Sequence, residues 1–219
     1  MDVSALHRGN RRKATVASRK EKRKKKKEAE AKLDWKQSLV VYLHDWLYLL
    51  MVILLVFLIF FRVIVVSGES MYSTLLDGDY LLLLNNMFYQ DPQQGDIVVI
   101  SKETFDNGNP IVKRVIATEG QTVDIDFLTG TVFVDGVALK EDYINSPTTN
   151  SWGVDFPVTV EEDAIFVLGD NRSVSLDSRS PQIGQIDKRE VLGKAIYLFL
   201  PGTNYGQLPQ DNNRIGAIG

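Results

Sequence analysis

The sequence predicts a mainly β domain, built on an antiparallel sheet and preceded by one transmembrane helix. Two observations carry this. From Trp46 to Phe61 every residue is apolar or aromatic, and after Arg62 the run resumes through Val63 to Val66. Beyond it, short stretches rich in Val, Ile, Leu, Phe and Tyr alternate with Gly, Asp and Asn, and nothing has the length or period of a long helix.

The apolar run is the first element. Twenty-one residues, 46–66, span about 31 Å as a helix, enough to cross a bilayer core. No polar face interrupts it, which argues against a buried helix of a soluble domain. Arg62 falls near one end, where a long side chain reaches the interface, and Trp46 with Tyr48 marks the other. A cleavable signal peptide would begin near residue 1 with a shorter core, and no second stretch of this length follows.

Charge is split about this run. The net charge of −3 conceals 14 Lys/Arg against 6 Asp/Glu in residues 1–45 and 11 against 22 in residues 46–219. The block Lys20 to Lys27 reads as a disordered, solvated tail that attracts anionic lipid headgroups. No recognition fold accompanies it, so nucleic acid is not the expected partner. The positive-inside rule places residues 1–45 in the cytoplasm and the domain on the opposite side.

The β domain occupies residues 67–200. Tyr80–Leu84, Asp96–Ser101, Ile111–Ala117, Thr131–Val134, Ala164–Leu168 and Lys194–Leu200 read as strands. Asp135-Gly136 between Thr131–Val134 and Val137–Leu139 signals a type I′ hairpin. A short helix fits Asp187–Leu192. Residues 201–219, rich in Gly, Asn, Gln and Pro, read as an irregular tail. Scarce helix argues against a doubly wound parallel sheet and for an antiparallel sheet curled on itself.

Composition narrows the chemistry. There is no cysteine, and both histidines, His7 and His44, precede the apolar run. Disulfides, thiolate nucleophiles and a Ser-His-Asp triad within the domain are excluded, and neither cofactor nor metal is expected. Ser70, in Ser67-Gly68-Glu69-Ser70-Met71, lies just past the apolar run. A serine becomes nucleophilic only when a base takes its proton, which leaves carboxylates and lysines. Lys113, in Ile111-Val112-Lys113-Arg114-Val115, sits among apolar strand formers; desolvation there would favour a neutral amine. The same pattern fits a surface lysine guarding an edge strand. Gly169-Asp170-Asn171-Arg172, with Ser175, Asp177, Ser178 and Arg179, follows a strand directly. Its short polar side chains suit a fixed loop, with an Asp177–Arg179 ion pair as its brace. Taken alone, that loop reads equally as purely structural.

Together the segments resemble bacterial type I signal peptidases, membrane-bound Ser/Lys endopeptidases. Ser70-Met71-Tyr72-Ser73-Thr74-Leu75 resembles the nucleophile box. Gly78-Asp79 and Gly95-Asp96-Ile97-Val98-Val99 resemble strand boxes, Val112-Lys113-Arg114-Val115 the lysine box, and Gly169 to Arg179 the last box. The resemblance implies Ser70 as nucleophile and Lys113 as general base, with Ser175 aiming the lysine amine. It implies that Asp170, Asn171, Asp177 and Arg179 structure the loop and that the Ser70 N–H is an oxyanion donor. It also implies a small β cap inserted at about residues 121–163, as in the Gram-positive type, and a bacterial plasma membrane with the catalytic domain outside. The implied substrates are signal peptides of exported preproteins.

Three positions depart from the family pattern. Ser73 stands where proline is usual, and Gly68 where some relatives carry a serine donor, leaving Ser67 as the candidate. Ser180-Pro181-Gln182-Ile183-Gly184 lacks the common aromatic-Gly pair. A reading of another class is a non-catalytic, membrane-anchored assembly factor of signal-peptidase-like sequence. A self-cleaving repressor-type Ser/Lys peptidase is a third, against which the apolar run and the lack of a DNA-binding domain argue.

Overall fold

A computed structural model of the chain describes residues 3–202 and 214–218. The chain divides into two units, residues 1–56 and 57–219.

The first unit is helical. Helix α1 runs Val3–Phe60 and continues into the second unit. Its basic part was expected to be disordered but is helix. Lys, Glu, Ala and Arg are strong helix formers, and Lys25–Glu21 and Lys24–Glu28 pair at i,i+4 spacing, 2.9 and 3.9 Å apart. Within α1, Asp34–Phe60 has a mean hydropathy of 2.4 over its most apolar stretch and is long and apolar enough to cross a membrane.

The expected span of 46–66 needs correction at its far end. Helix stops at Phe60, and Phe61–Val65 forms strand β1, which carries Arg62. β1 pairs antiparallel with β2, Tyr80–Asn85. Valine and isoleucine prefer this pleated pairing, and an apolar strand cannot be told from apolar helix by composition. Asn85 Nδ2 donates to Ile59 O at 3.2 Å, capping a carbonyl of the last helical turn, and Phe60 stacks on Phe88.

The second unit is built on two antiparallel sheets. In chain order its further strands are β3 Ile97–Ile100, β4 Ile111–Thr118, β5 Thr122–Asp126, β6 Thr131–Val134, β7 Val137–Ala138, β8 Val158–Thr159, β9 Ala164–Leu168, β10 Ile186–Asp187, β11 Val191–Leu200 and β12 Gly216–Ala217. The larger sheet has the order β1-β2-β11-β3-β4-β9-β10, with β12 also on β11. The smaller one, β7-β6-β5-β8, is inserted between β4 and β9 in the chain. All six strands read from the sequence are present. Asp135 and Gly136 both take positive φ, 51° and 79°, as a type I′ hairpin between β6 and β7 requires. At Asp187–Leu192 the chain makes only a 3-10 turn, Lys188–Glu190, closed by a capping box between Asp187 and Glu190.

Burial explains why β3 and β9 lack alternation. Ile97 and Val99 enter one apolar cluster with Met71 and Leu75, while Val98 and Ile100 enter another with Val115 and Ile165. A strand covered on both faces reads as a continuous apolar run. A third cluster joins the two sheets through Ile116, Val123, Val132 and Phe166. The tail is not wholly irregular: Gly216–Ala217 pairs with β11, and Ile218 packs against the cluster around Met71. The rest of that expectation, at 203–213, lies outside the described residues.

Phe166 is fully buried and meets the Phe156 ring edge-on at 6.0 Å. Phe166→Ala is expected to cost about 3–5 kcal/mol in urea unfolding, since it opens a cavity between the two sheets.

Candidate active site

The site lies where β4, the loop after β9 and the turn carrying Ser70 converge. β4 is no edge strand; it lies between β3 and β9, and Lys113 pairs with Val98. Lys113 is therefore buried, 3% exposed. Its Nζ donates to Ser70 Oγ at 2.8 Å. Burial brings the ammonium down from the usual 10.5 to about 8; the Arg179 guanidinium pushes the same way, and the Asp177 and Asp170 carboxylates oppose it.

Ser70 is placed by the tight turn that follows it. Tyr72 N–H donates to Glu69 O and Leu75 N–H to Met71 O, and the buried side chains of Met71 and Leu75 anchor the turn in the core. The Tyr72–Ser73 peptide is cis. Gly68 has φ +88°, and its N–H donates to Asp77 Oδ1 at 2.8 Å. Ser67 is exposed. The Ser70 N–H donates to no group among the described residues.

The loop Gly169–Arg179 is tied to that turn. Asn171 N–H donates to Ser70 O and Asn171 Nδ2 to Glu69 O, each at 3.0 Å. Asp170 accepts from Thr74 Oγ1 and, with both oxygens, from Arg114 Nε and Nη2 at 2.8 Å. The expected Asp177–Arg179 pair forms as a two-point contact at 2.8 Å, both side chains fully buried. Asp177 also accepts from the Gly169 N–H, and Arg179 donates to the carbonyls of Arg172 and Ser175. No cluster of three or more His, Cys, Asp or Glu able to hold a metal occurs among the described residues.

Ser175 departs from expectation. Its hydroxyl is buried with no hydrogen-bond partner, so it does not aim the Lys113 amine, whose contact is with Ser70. It lies instead against Gly169: a Cβ at 169 would collide with Ser175 Oγ and Ser70 O. Only glycine lets the loop approach the Ser70 backbone this closely.

Four residues that position the site carried no assigned role in the sequence reading. Arg114 and Arg172 stood in the recognised boxes, and a charged residue in an apolar strand was the available signal for Arg114. Thr74 offered none. Nor did Arg214, whose guanidinium donates to Asp79 Oδ1 at 3.1 Å and to Thr74 O at 3.3 Å from a segment that composition marks as a polar tail.

Chemically, a buried amine that loses its proton near pH 8 and touches a half-buried serine hydroxyl is a base–nucleophile pair. Residues 39–200 match the family described as signal peptidase, peptidase S26, and the chain belongs to that peptidase family. It is similar to the probable signal peptidase I-1 of Synechocystis sp., 35% identical over 150 residues, 65% of this chain and 73% of that protein. Signal peptidase I of Bacillus licheniformis is 33% identical over 180 residues, 78% of this chain and 94% of that protein. A solved structure of a signal peptidase I from Enterococcus faecalis V583 matches 48% of this chain and 96% of that chain at 33% identity, with a TM-score of 0.39.

The Lys113 burial cost should be visible in stability. Below about 8 the lysine is charged in folded and unfolded chains alike, and the folded state bears the whole cost. Between about 8 and 10.5 the folded chain gives up its proton first, so the cost fades as pH rises. Lys113→Met should therefore melt higher than wild type at neutral pH, and the gap should close as pH approaches 10.5. Thermal melts across that range measure it; a gap that does not change with pH contradicts the assignment.

Proposed function

We propose that this chain is a membrane-bound serine endopeptidase that removes N-terminal signal peptides from exported preproteins with a Ser70–Lys113 dyad. The observation that carries the reading is the 2.8 Å contact between Ser70 Oγ and a Lys113 amine buried enough to be neutral near pH 8. Membership of the peptidase family supplies the substrate class.

In this reading the neutral amine takes the Ser70 proton as Oγ attacks the scissile carbonyl. The Ser70 N–H, which no described group engages, donates to the developing oxyanion. The Lys113 ammonium then gives its proton to the leaving amine of the mature protein, and the signal peptide remains esterified to Ser70. Lys113, neutral again, takes a proton from water for deacylation. Asp170, Asn171, Asp177 and Arg179 keep the loop against Ser70.

The apolar segment Asp34–Phe60 would anchor the enzyme, with the basic residues on the cytoplasmic face near anionic lipid and the β domain outside. Ser70 lies ten residues past Phe60, at most about 36 Å of extended chain. That reach keeps the nucleophile near the outer surface, where the apolar core of a signal peptide ends and its small-residue cleavage site begins.

Cleavage of a purified preprotein with a known processing site tests the reading. Wild type should release the mature protein, while Ser70→Ala and Lys113→Ala should each lose at least about a thousandfold in kcat/KM with the fold retained. Because the base must be deprotonated, kcat/KM should climb about tenfold per pH unit on the acid side and level off near 8. Full activity in Lys113→Ala, or an acid limb in the carboxylate range, overturns it.

A further inference from the structure

A short piece of the inserted region, residues 141–148, reaches three side chains that hold the loop beside Ser70: Arg172, Arg114 and Asn171. Arg172 Nη1 donates to Glu141 Oε2 at 3.1 Å and to Thr148 Oγ1 at 2.6 Å, and Nη2 donates to the other Glu141 oxygen. Tyr143 lies with its ring 4.0 Å from the Arg114 guanidinium, and its hydroxyl donates to Glu141 Oε1 at 2.9 Å. Asn145 Nδ2 donates to Asn171 Oδ1 at 3.2 Å.

The three residues so contacted hold three consecutive positions of the loop. Arg172 Nε donates to Gly169 O at 3.0 Å, and Arg114 grips the Asp170 carboxylate. Asn171 holds the carbonyls of Ser70 and Glu69. Arg172 is fully buried and the Glu141 side chain 6% exposed, so water cannot replace one partner when the other is lost. Gly169 in turn fits between Ser175 and the Ser70 backbone with no room for a methyl group.

We propose that the 141–148 turn is a positioning element for the nucleophile. Glu141, Tyr143 and Asn145 act through Arg172, Arg114 and Asn171 to press Gly169–Asn171 against Ser70, keeping its Oγ within reach of the Lys113 amine. The inserted region thereby contributes to the chemical step from outside the dyad. A shift of about 1 Å between nucleophile and base is enough to cost a hundredfold in rate. The inference rests on the peptidase reading for its kinetic test and on geometry alone for its structural one.

Three variants of the full chain separate the outcomes. Asn145 is exposed, so Asn145→Ala spares the core; Tyr143→Leu keeps the bulk of the ring site; Glu141→Gln keeps an acceptor for Arg172. Asn145→Ala and Tyr143→Leu should each lower kcat about three- to tenfold with KM within about twofold, and together by more. Glu141→Gln should keep more activity than Glu141→Ala. Amide hydrogen exchange reads the clamp without substrate: protection of the Asn171 N–H, which donates to Ser70 O, should fall in Asn145→Ala and Tyr143→Leu. Unchanged kcat and unchanged Asn171 protection overturn the proposal, as does a rise in KM alone, which would make the turn a substrate contact. Should wild type cleave no preprotein, the proposed function fails by itself, and the exchange data still decide whether the clamp exists.

Discussion

An amine kept out of water against a serine hydroxyl is the constraint on which the other features depend. A lysine in the middle of a sheet costs free energy that the fold must recover elsewhere, and burial is what makes its proton labile near 8. Two structural facts keep Lys113 dry. β4 is a central strand, and the loop after β9 is bound to it beside Lys113 through Asp170 and Arg114. An edge strand would have left the amine hydrated and fully charged at neutral pH.

Closing that loop next to a buried cation creates a second demand. The loop carries Asp170, Asp177, Arg172 and Arg179, all buried, and each finds an opposite charge: Arg114, Arg179, Glu141 and Asp177 respectively. Such pairs add little net stability over apolar packing, but breaking one leaves a stranded charge at a cost of about 3–5 kcal/mol. They act as specifiers of geometry. Two of them connect the loop to other parts of the chain, β4 through Arg114 and the inserted region through Glu141. The nucleophile turn is tied in by hydrogen bonds from Asn171 and Thr74. The same network that keeps Lys113 from water fixes where Ser70 stands.

The sequence made much of this legible and hid the rest for identifiable reasons. The strands that bury both faces, β3, β4 and β9, were readable as apolar runs between turn residues, and the Asp135-Gly136 hairpin from its dipeptide. The absence of histidine beyond residue 44 was enough to direct attention to a lysine. The helix end was misplaced by six residues because Phe61–Val65, apart from Arg62, is as apolar as the helix before it; pairing with Tyr80–Asn85 separates the two. The basic segment was misread because like charge suggested disorder, while Glu at i,i+4 from Lys supports helix. Contacts such as Arg172–Glu141 and Arg214–Asp79 link residues 31 and 135 positions apart and leave no local signature. The Ser175 hydroxyl, expected to touch the amine, is instead pressed against Gly169.

The chemistry depends on the charge state of one side chain, and that can be read directly. With lysine labelled at Cε, carbon NMR follows each lysine of the folded protein through a pH titration, with Lys113→Met assigning the resonance. Lys113 should titrate near 8, well below the exposed lysines. A Lys113 signal that titrates near 10.5 with the rest would contradict it, because the amine would then be charged at the pH where it must act as a base.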